Sequence, residues 1–130
     1  MTYPLHVMLR FNLEQKIFND EIKIKDIPEL WNEEFKRLFN KTVDTDSNGC
    51  LQDVHWYAGL FGYFPTYSLG ALTAAQLASQ LHIDITNLDT QIEKGDFTKL
   101  LQWLKTNVHS KASLYSTNDI LQQVTNSNLN

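Results

Sequence analysis

Apolar positions recur along this chain at the three- and four-residue spacing of helices, and almost nowhere in alternation. Leu5, Met8, Leu9, Leu13 and Ile17 predict a helix over residues 4–18, opened by Pro4, whose missing N–H costs nothing in a first turn. Val7 and Phe11 widen its stripe, which asks for neighbours on more than one side. Leu30, Trp31, Phe35, Leu38 and Phe39 predict a second helix to about residue 40, with Trp31 in the core. Its start is written in Asp26-Ile27-Pro28-Glu29, where Asp26 and Glu29 form a capping box. A short third helix is expected over 51–57. Thr66 caps a fourth running to about residue 81, thinned by Ala71, Ala74, Ala75 and Ala78 so that a neighbour packs close. Residues 84–94 read as another helix, stopped by Gly95. Asp96 caps the next, whose apolar face is Phe97, Leu100, Leu101, Leu104 and Val108, with Trp103 at its flank. Ser116 or Thr117 starts a last helix through Ile120, Leu121 and Val124, followed by a polar, frayed tail. Only Glu21–Ile24 alternates, as a short extended piece. The expected fold class is all-α, one helical domain or fragment over residues 1–130.

Composition narrows the functions open to such a fold. The net charge is −4, with no basic stripe to neutralise phosphates, which argues against nucleic acid. No apolar run approaches the roughly 20 residues of a membrane span, and the N-terminus carries no signal-peptide pattern. The one cysteine, Cys50, excludes an internal disulfide framework and a cysteine-based zinc site. A reducing, cytoplasmic setting fits these features.

The stretch from Gly49 to Gly70 departs from plain core patterning. Six aromatic residues lie between Trp56 and Tyr67, mixed with Gln52, Asp53 and His55 and with Gly59 and Gly62. On a helix, Gln52, His55 and Trp56 share a face while Asp53 points elsewhere, placed to cap or orient the backbone. This reads either as a binding surface or as an aromatic core with a satisfied histidine, and composition alone favours the core. His6 and Arg10, an i,i+4 pair, read as a surface pair rather than as part of a site.

Most catalytic arrangements are missing. Asp44-Thr45-Asp46-Ser47-Asn48-Gly49 matches the first half of a calcium loop, but the twelfth position, which needs a bidentate carboxylate, is His55. A polar turn ending in a left-handed Gly49 is the better reading. The histidines His6, His55, His82 and His109 are scattered, and no H-E-x-x-H motif, G-x-S-x-G elbow or phosphate-binding glycine loop occurs. Cys50 and His55 fall on opposite sides of the expected short helix, which disfavours a nucleophile–base pair. No metal ligand set is expected in this chain.

Gly49-x-x-Gln52-Asp53-x-His55-Trp56, followed by Gly62-Tyr63-Phe64-Pro65-Thr66-Tyr67-x-Leu69-Gly70 and Ala74-Ala75-Gln76-Leu77, resembles the C-terminal part of the Taq-type metallocarboxypeptidases. The resemblance extends through Tyr3-Pro4-Leu5-His6, Arg10-Phe11, Asp26–Asn32, Gly95-Asp96-Phe97 and His109-Ser110-Lys111, although Ala112 stands where a glycine is common. It implies a helical, often homodimeric enzyme that removes single residues from peptide C-termini with a divalent metal, zinc or cobalt. The family's metal ligands, in an H-E-x-x-H helix and a later Glu, and its arginine motif lie upstream and are absent here. The resemblance therefore implies a C-terminal fragment, inactive alone, whose partners are the missing N-terminal catalytic portion and a peptide substrate; the alternative is a stand-alone, non-catalytic helical interaction module that keeps the scaffold without the chemistry. By position, Gln52 and His55 face the groove, with His55 contacting substrate or a developing oxyanion. Tyr63 and Tyr67 contact substrate, while Gly49, Asp53 and Trp56 support the turn. A patch at Phe61, Tyr63, Phe64 and Tyr67 is expected to be exposed and to favour self-association.

Overall fold

A computed structural model describes residues 2–111 and 113–129; Ala112 lies outside them. Among the described residues there are six α-helices and no strand: α1 (Tyr3–Phe18), α2 (Ile27–Phe39), α3 (Pro65–Asp84), α4 (Leu88–Glu93), α5 (Thr98–Asn107) and α6 (Thr117–Thr125). Short 3-10 turns occur at Ile24–Asp26, Asp46–Asn48 and His109–Lys111. The all-α expectation holds. The chain divides into two compact units, residues 1–68 and 69–130.

In the first unit, α1 and α2 enclose Leu9, Leu13 and Trp31, with Cys50 from the following segment; Phe35, Leu38, Phe39 and Val43 close the rim. Val7 is buried on α1, whereas Met8 and Phe11 are exposed. Asp26 does not form the expected capping box with Glu29. Its carboxylate instead accepts the Lys23 N–H at 3.0 Å, closing the 3-10 turn that precedes α2. That turn also takes the place of the extended piece expected at Glu21–Ile24. Helix α2 stops at Asn40, whose φ of 52° is left-handed. Gly49 has φ −117°, so it is not the left-handed residue anticipated. Its small size matters instead: a Cβ there would lie 2.9 Å from Val43 Cγ1 and 3.4 Å from the Trp31 ring.

In the second unit the core is Leu81, Ile85, Leu88 and Trp103, bordered by Leu77, Leu100, Leu104, Val108 and Val124. Trp103, expected at the flank of α5, is the buried residue of that helix, while Leu101 and Phe97 are exposed. The Trp103 ring packs with Leu81, Ile85 and Leu88, and its indole N–H donates to Asp84 at 2.7 Å. Asp84 ends α3 instead of starting a new helix, and the chain turns over Ile85–Asn87 before α4. Gly95, at φ +73°, stops α4 as expected. Its N–H reaches the Ile92 carbonyl and that of Asp96 reaches Gln91, the paired bonds of a Schellman stop. The Asp96 carboxylate then accepts the Thr98 N–H at 3.0 Å, at the start of α5. Ser116 and Asp119 form a capping box at α6. The segment after α6 is not free: the Gln76 amide donates to Thr125 Oγ1 and to the Ser127 and Asn128 carbonyls.

Candidate functional site

The segment between Gly49 and α3 lies in the first unit and forms no helix. It runs as tight turns in which the His55 carbonyl accepts the N–H groups of Ala58 and Leu60 at 3.1 and 2.9 Å. Thr66 sits inside the first turn of α3, its hydroxyl donating to the Tyr63 carbonyl at 2.6 Å, rather than capping the helix. The expected 51–57 helix is absent because two side chains of α1 hold the turns from outside.

Arg10 and Glu14, one helical turn apart, make those contacts. Arg10 Nε donates to Asp53 Oδ2 at 2.6 Å and its Nη1 to the His6 carbonyl at 2.9 Å. The guanidinium also stands 4.8 Å from the Trp31 ring centroid and 5.6 Å from that of Phe64, favourable cation–π distances. Glu14, only 3% exposed, accepts the Trp56 indole N–H at 2.9 Å and the Gly62 backbone N–H at 3.1 Å. The surface-pair expectation for His6 and Arg10 is thus overturned. The Arg10 side chain is 14% exposed, and the His6 ring stacks 4.3 Å from Phe39.

His55 lies at the centre of the turns. Asp53 Oδ1 accepts the His55 backbone N–H at 3.0 Å and directly faces ring Nδ1. Nε2 lies 2.8 Å from the Tyr67 hydroxyl. An ionised carboxylate only accepts, so the ring proton sits on Nδ1; in the neutral ring Nε2 is then an acceptor and Tyr67 donates to it. Burial works to raise the Asp53 carboxyl, but the bonds from the His55 backbone and ring and from Arg10 overcome it and hold the group below the usual carboxylate range. Burial, with Tyr63, Tyr3 and Asp53 nearby, pushes the Tyr67 phenol up. Burial, with the Arg10 charge, pushes His6 down. A cleft of about 260 Å³ opens beside these groups, lined by Tyr3, His6, Arg10, His55, Phe64 and Tyr67 among others.

The sequence-marked residues divide accordingly. Asp53, His55 and Tyr67 form one hydrogen-bonded chain, contrary to the expectation that Asp53 points away. Tyr63 is exposed, its ring 5.4 Å from Tyr67 and 6.0 Å from His55. Trp56 stands edge-on to Trp31 at 6.1 Å and serves the packing of the turns. Gln52 is exposed and lies outside the hydrogen-bonded cluster; the helical face it was to share with His55 and Trp56 does not exist. Phe64, expected in an exposed patch, is 3% exposed beneath His55, with ring centroids 4.9 Å apart. Sequence reading did not mark Arg10 or Glu14 as site residues. The available signal was a carboxylate at position 14 beside the core residue Leu13, one turn from an arginine.

Among the described residues, no group of three or more His, Cys, Asp and Glu is placed to hold a metal ion. Asp53 and His55 are committed to each other, to Arg10 and to Tyr67, so this cluster does not fit a divalent metal. Asp44 accepts from Thr45 N–H and the Asn48 amide, both at 3.0 Å, closing a polar turn on itself. Cys50 is packed in the core with Leu9, Leu13 and Trp31, and burial pushes its thiol up, the opposite of nucleophile activation.

The fold and this cluster define an all-helical protein with a histidine held between a carboxylate and a phenol on an open cleft. Residues 1–130 match the carboxypeptidase Taq (M32) metallopeptidase family, and the chain belongs to that family. It is 41% identical over 130 residues to carboxypeptidase 1 of Bacillus subtilis (strain 168), covering 100% of this chain and 26% of that protein. It is 40% identical over 123 residues to thermostable carboxypeptidase 1 of Pyrococcus furiosus, covering 95% and 25%. The solved Trypanosoma cruzi metallocarboxypeptidase 1 superposes with a TM-score of 0.92 at 42% identity, over 98% of this chain and 26% of that one. The chain spans about a quarter of the length of the relatives it matches. Among the described residues, no helix is long and apolar enough to cross a membrane.

Proposed function

We propose that this chain is the C-terminal part of a metal-dependent carboxypeptidase that releases single C-terminal amino acids from peptides, and that it supplies a wall of the substrate groove. The observation that carries this reading is the Asp53–His55–Tyr67 chain beside an open cleft, inside a segment that matches a metallopeptidase family throughout. Tyr67, its proton given to His55 Nε2 in their hydrogen bond, presents a phenol oxygen that accepts an N–H from a peptide; when Tyr67 releases Nε2, that nitrogen accepts one instead. Tyr63 packs edge-on against Tyr67 and joins it in contacting substrate, and Gln52 takes its substrate role from its position in the family motif alone. Gly49, Asp53 and Trp56 keep the turn in place. The divalent metal, zinc or cobalt, is held by the remainder of the family-length protein, which is also the principal partner; a cytoplasmic homo-oligomer is the expected state of the whole. A non-catalytic interaction module would have no need of the oriented His55–Tyr67 pair.

The test is reconstitution. The 130-residue chain alone is expected to release no C-terminal residue. Joined to the upstream portion of a family member it is expected to do so in a chelator-sensitive way. His55→Ala in that assembly should lower kcat by about 10²–10³, the usual loss for a transition-state hydrogen bond, with a smaller change in KM. Chelator-sensitive release by the chain alone, or unchanged turnover in His55→Ala, would overturn the reading.

A further inference from the structure

Asp53 has two carboxylate oxygens and three donors aimed at them. Oδ2 takes Arg10 Nε at 2.6 Å. Oδ1 takes the His55 backbone N–H at 3.0 Å and faces His55 Nδ1. Arg10 cannot easily move from this arrangement. Its Nη1 is bound to the His6 carbonyl on its own helix, and its guanidinium lies over the rings of Trp31 and Phe64. A guanidinium has donors and no acceptor. It therefore requires an oxygen from residue 53 at one fixed place.

We propose that Arg10 is a positioning residue for His55, acting through Asp53: it takes Oδ2 and thereby assigns Oδ1, and with it the Nδ1 proton, to the imidazole. Nε2 is left as an acceptor for the Tyr67 hydroxyl. Position 53 must then be a carboxylate because it serves two sets of donors with two oxygens. The proposal rests on the reading that His55 and Tyr67 face the peptide, although its test does not involve peptide cleavage.

The assignment makes a coupled expectation. Asparagine at position 53 has a single oxygen. In Asp53→Asn, Arg10 claims that oxygen, the amide NH₂ turns to His55, and Nδ1 must accept. The ring proton then moves to Nε2, as a carboxylate-to-amide change does beside the histidine of serine proteases. Arg10→Met removes the donors and keeps an unbranched apolar stem between the two rings. In the double variant nothing competes for the oxygen, which returns to the His55 N–H groups, and the proton returns to Nδ1.

Nitrogen-15 NMR of the His55 ring in the 130-residue chain reads this directly, with circular dichroism and the indole N–H resonances as folding controls. The expected result is an Nδ1–H ring in the unmutated chain, an Nε2–H ring in Asp53→Asn, and an Nδ1–H ring again in Arg10→Met/Asp53→Asn. An Asp53→Asn ring that keeps its proton on Nδ1, or a double variant that stays on Nε2, would overturn the proposal. If Asp53→Asn loses its helical signal, the unmutated chain decides. There the Arg10 Nε–H should exchange with solvent far more slowly than that of Arg37, whose side chain is 60% exposed. Equal exchange, or a wild-type ring protonated on Nε2, overturns the proposal. These spectra can fail while the reconstituted enzyme still cleaves peptides, and the reverse, so the two readings are separable.

Discussion

A methyl group on Gly49 would lie 2.9 Å from Cγ1 of Val43, closer than packed carbons tolerate. The glycine at the head of the site segment is therefore a packing residue, kept small by Val43 on one side and Trp31 on the other. Gly49→Ala should destabilise the chain by about 1–3 kcal/mol, the usual range for an overpacked core. Because the obstructing atom is a side-chain methyl, Val43→Ala should relieve part of that cost, with a coupling on the order of 1 kcal/mol. Urea unfolding of the two single variants and the double checks this; strictly additive effects would count against it.

Glu14→Gln tests the anchor of the aromatic turns. The carboxylate accepts from Trp56 and from Gly62 with different oxygens. A glutamine has one oxygen, so one of the two N–H groups faces an NH₂. Leaving such a buried group unsatisfied costs roughly 1–3 kcal/mol. The urea midpoint should fall with little change in slope, and the environment of the Trp56 indole should change in its NMR resonance. A variant as stable as the original would mean that the turns hold without α1.

Two histidines should bend the pH dependence of stability in opposite directions. His6 is pushed below the usual histidine value by burial and by Arg10. Its folded form binds the proton less readily than the unfolded chain, so its contribution is present above about pH 6.5 and is lost as pH falls through the lowered folded value. His82 is raised by its bond to the Ala78 carbonyl and by Asp89. Its contribution is present below about pH 6.5 and is lost as pH rises through the raised folded value. His6→Gln should flatten the acid side of the stability profile and His82→Gln the neutral-to-alkaline side, the latter weakly because the pair is exposed. Denaturation midpoints between pH 5 and 8 read both, and the same sign for the two variants would contradict the assignment.

Trp103→Phe separates the packing of the second unit from its polar anchor. The ring remains, while the bond to Asp84 at 2.7 Å is lost. Asp84 is exposed and can take water instead, so the cost should be about 0.5–1.5 kcal/mol. Trp103→Ala should cost about 3–5 kcal/mol, as large aromatic truncations do. Thermal unfolding of both variants gives the ratio; equal losses would place the stabilisation in the hydrogen bond rather than the ring.

The helices were legible where local pattern and local chemistry agreed. The start of α6 at Ser116, Gly95 after α4, and Pro4 in the first turn of α1 each act within a few residues, and each functions as its sequence position suggests. Local spacing suggests a helix over 51–57, whereas the chain turns there, held by Asp53 on the His55 N–H and by Arg10 and Glu14 from 42 to 48 residues earlier. Arg10 and Glu14 look like solvated charges in a linear reading; only the fold reveals that both are turned onto that segment. At Asp84 the capping residue type suggests a helix start, whereas the residue closes α3 and its carboxylate accepts the Trp103 indole N–H from 19 residues later. His55 and Tyr67 were marked by a motif, but spacing on an assumed helix could not show that Asp53 and Tyr67 bind opposite nitrogens of one ring.

The reach of Arg10 and Glu14 across the chain also bears on the order of assembly. Both belong to a helix built on local contacts, whereas the bonds they make to the turns require a loop of more than forty residues to close, which carries an entropic cost. Such long-range bonds are expected to form after the transition state. Losing them is expected to speed unfolding and leave the folding rate nearly unchanged. Variation at these two positions would then alter how long each molecule keeps these turns formed, rather than how quickly the chain reaches them.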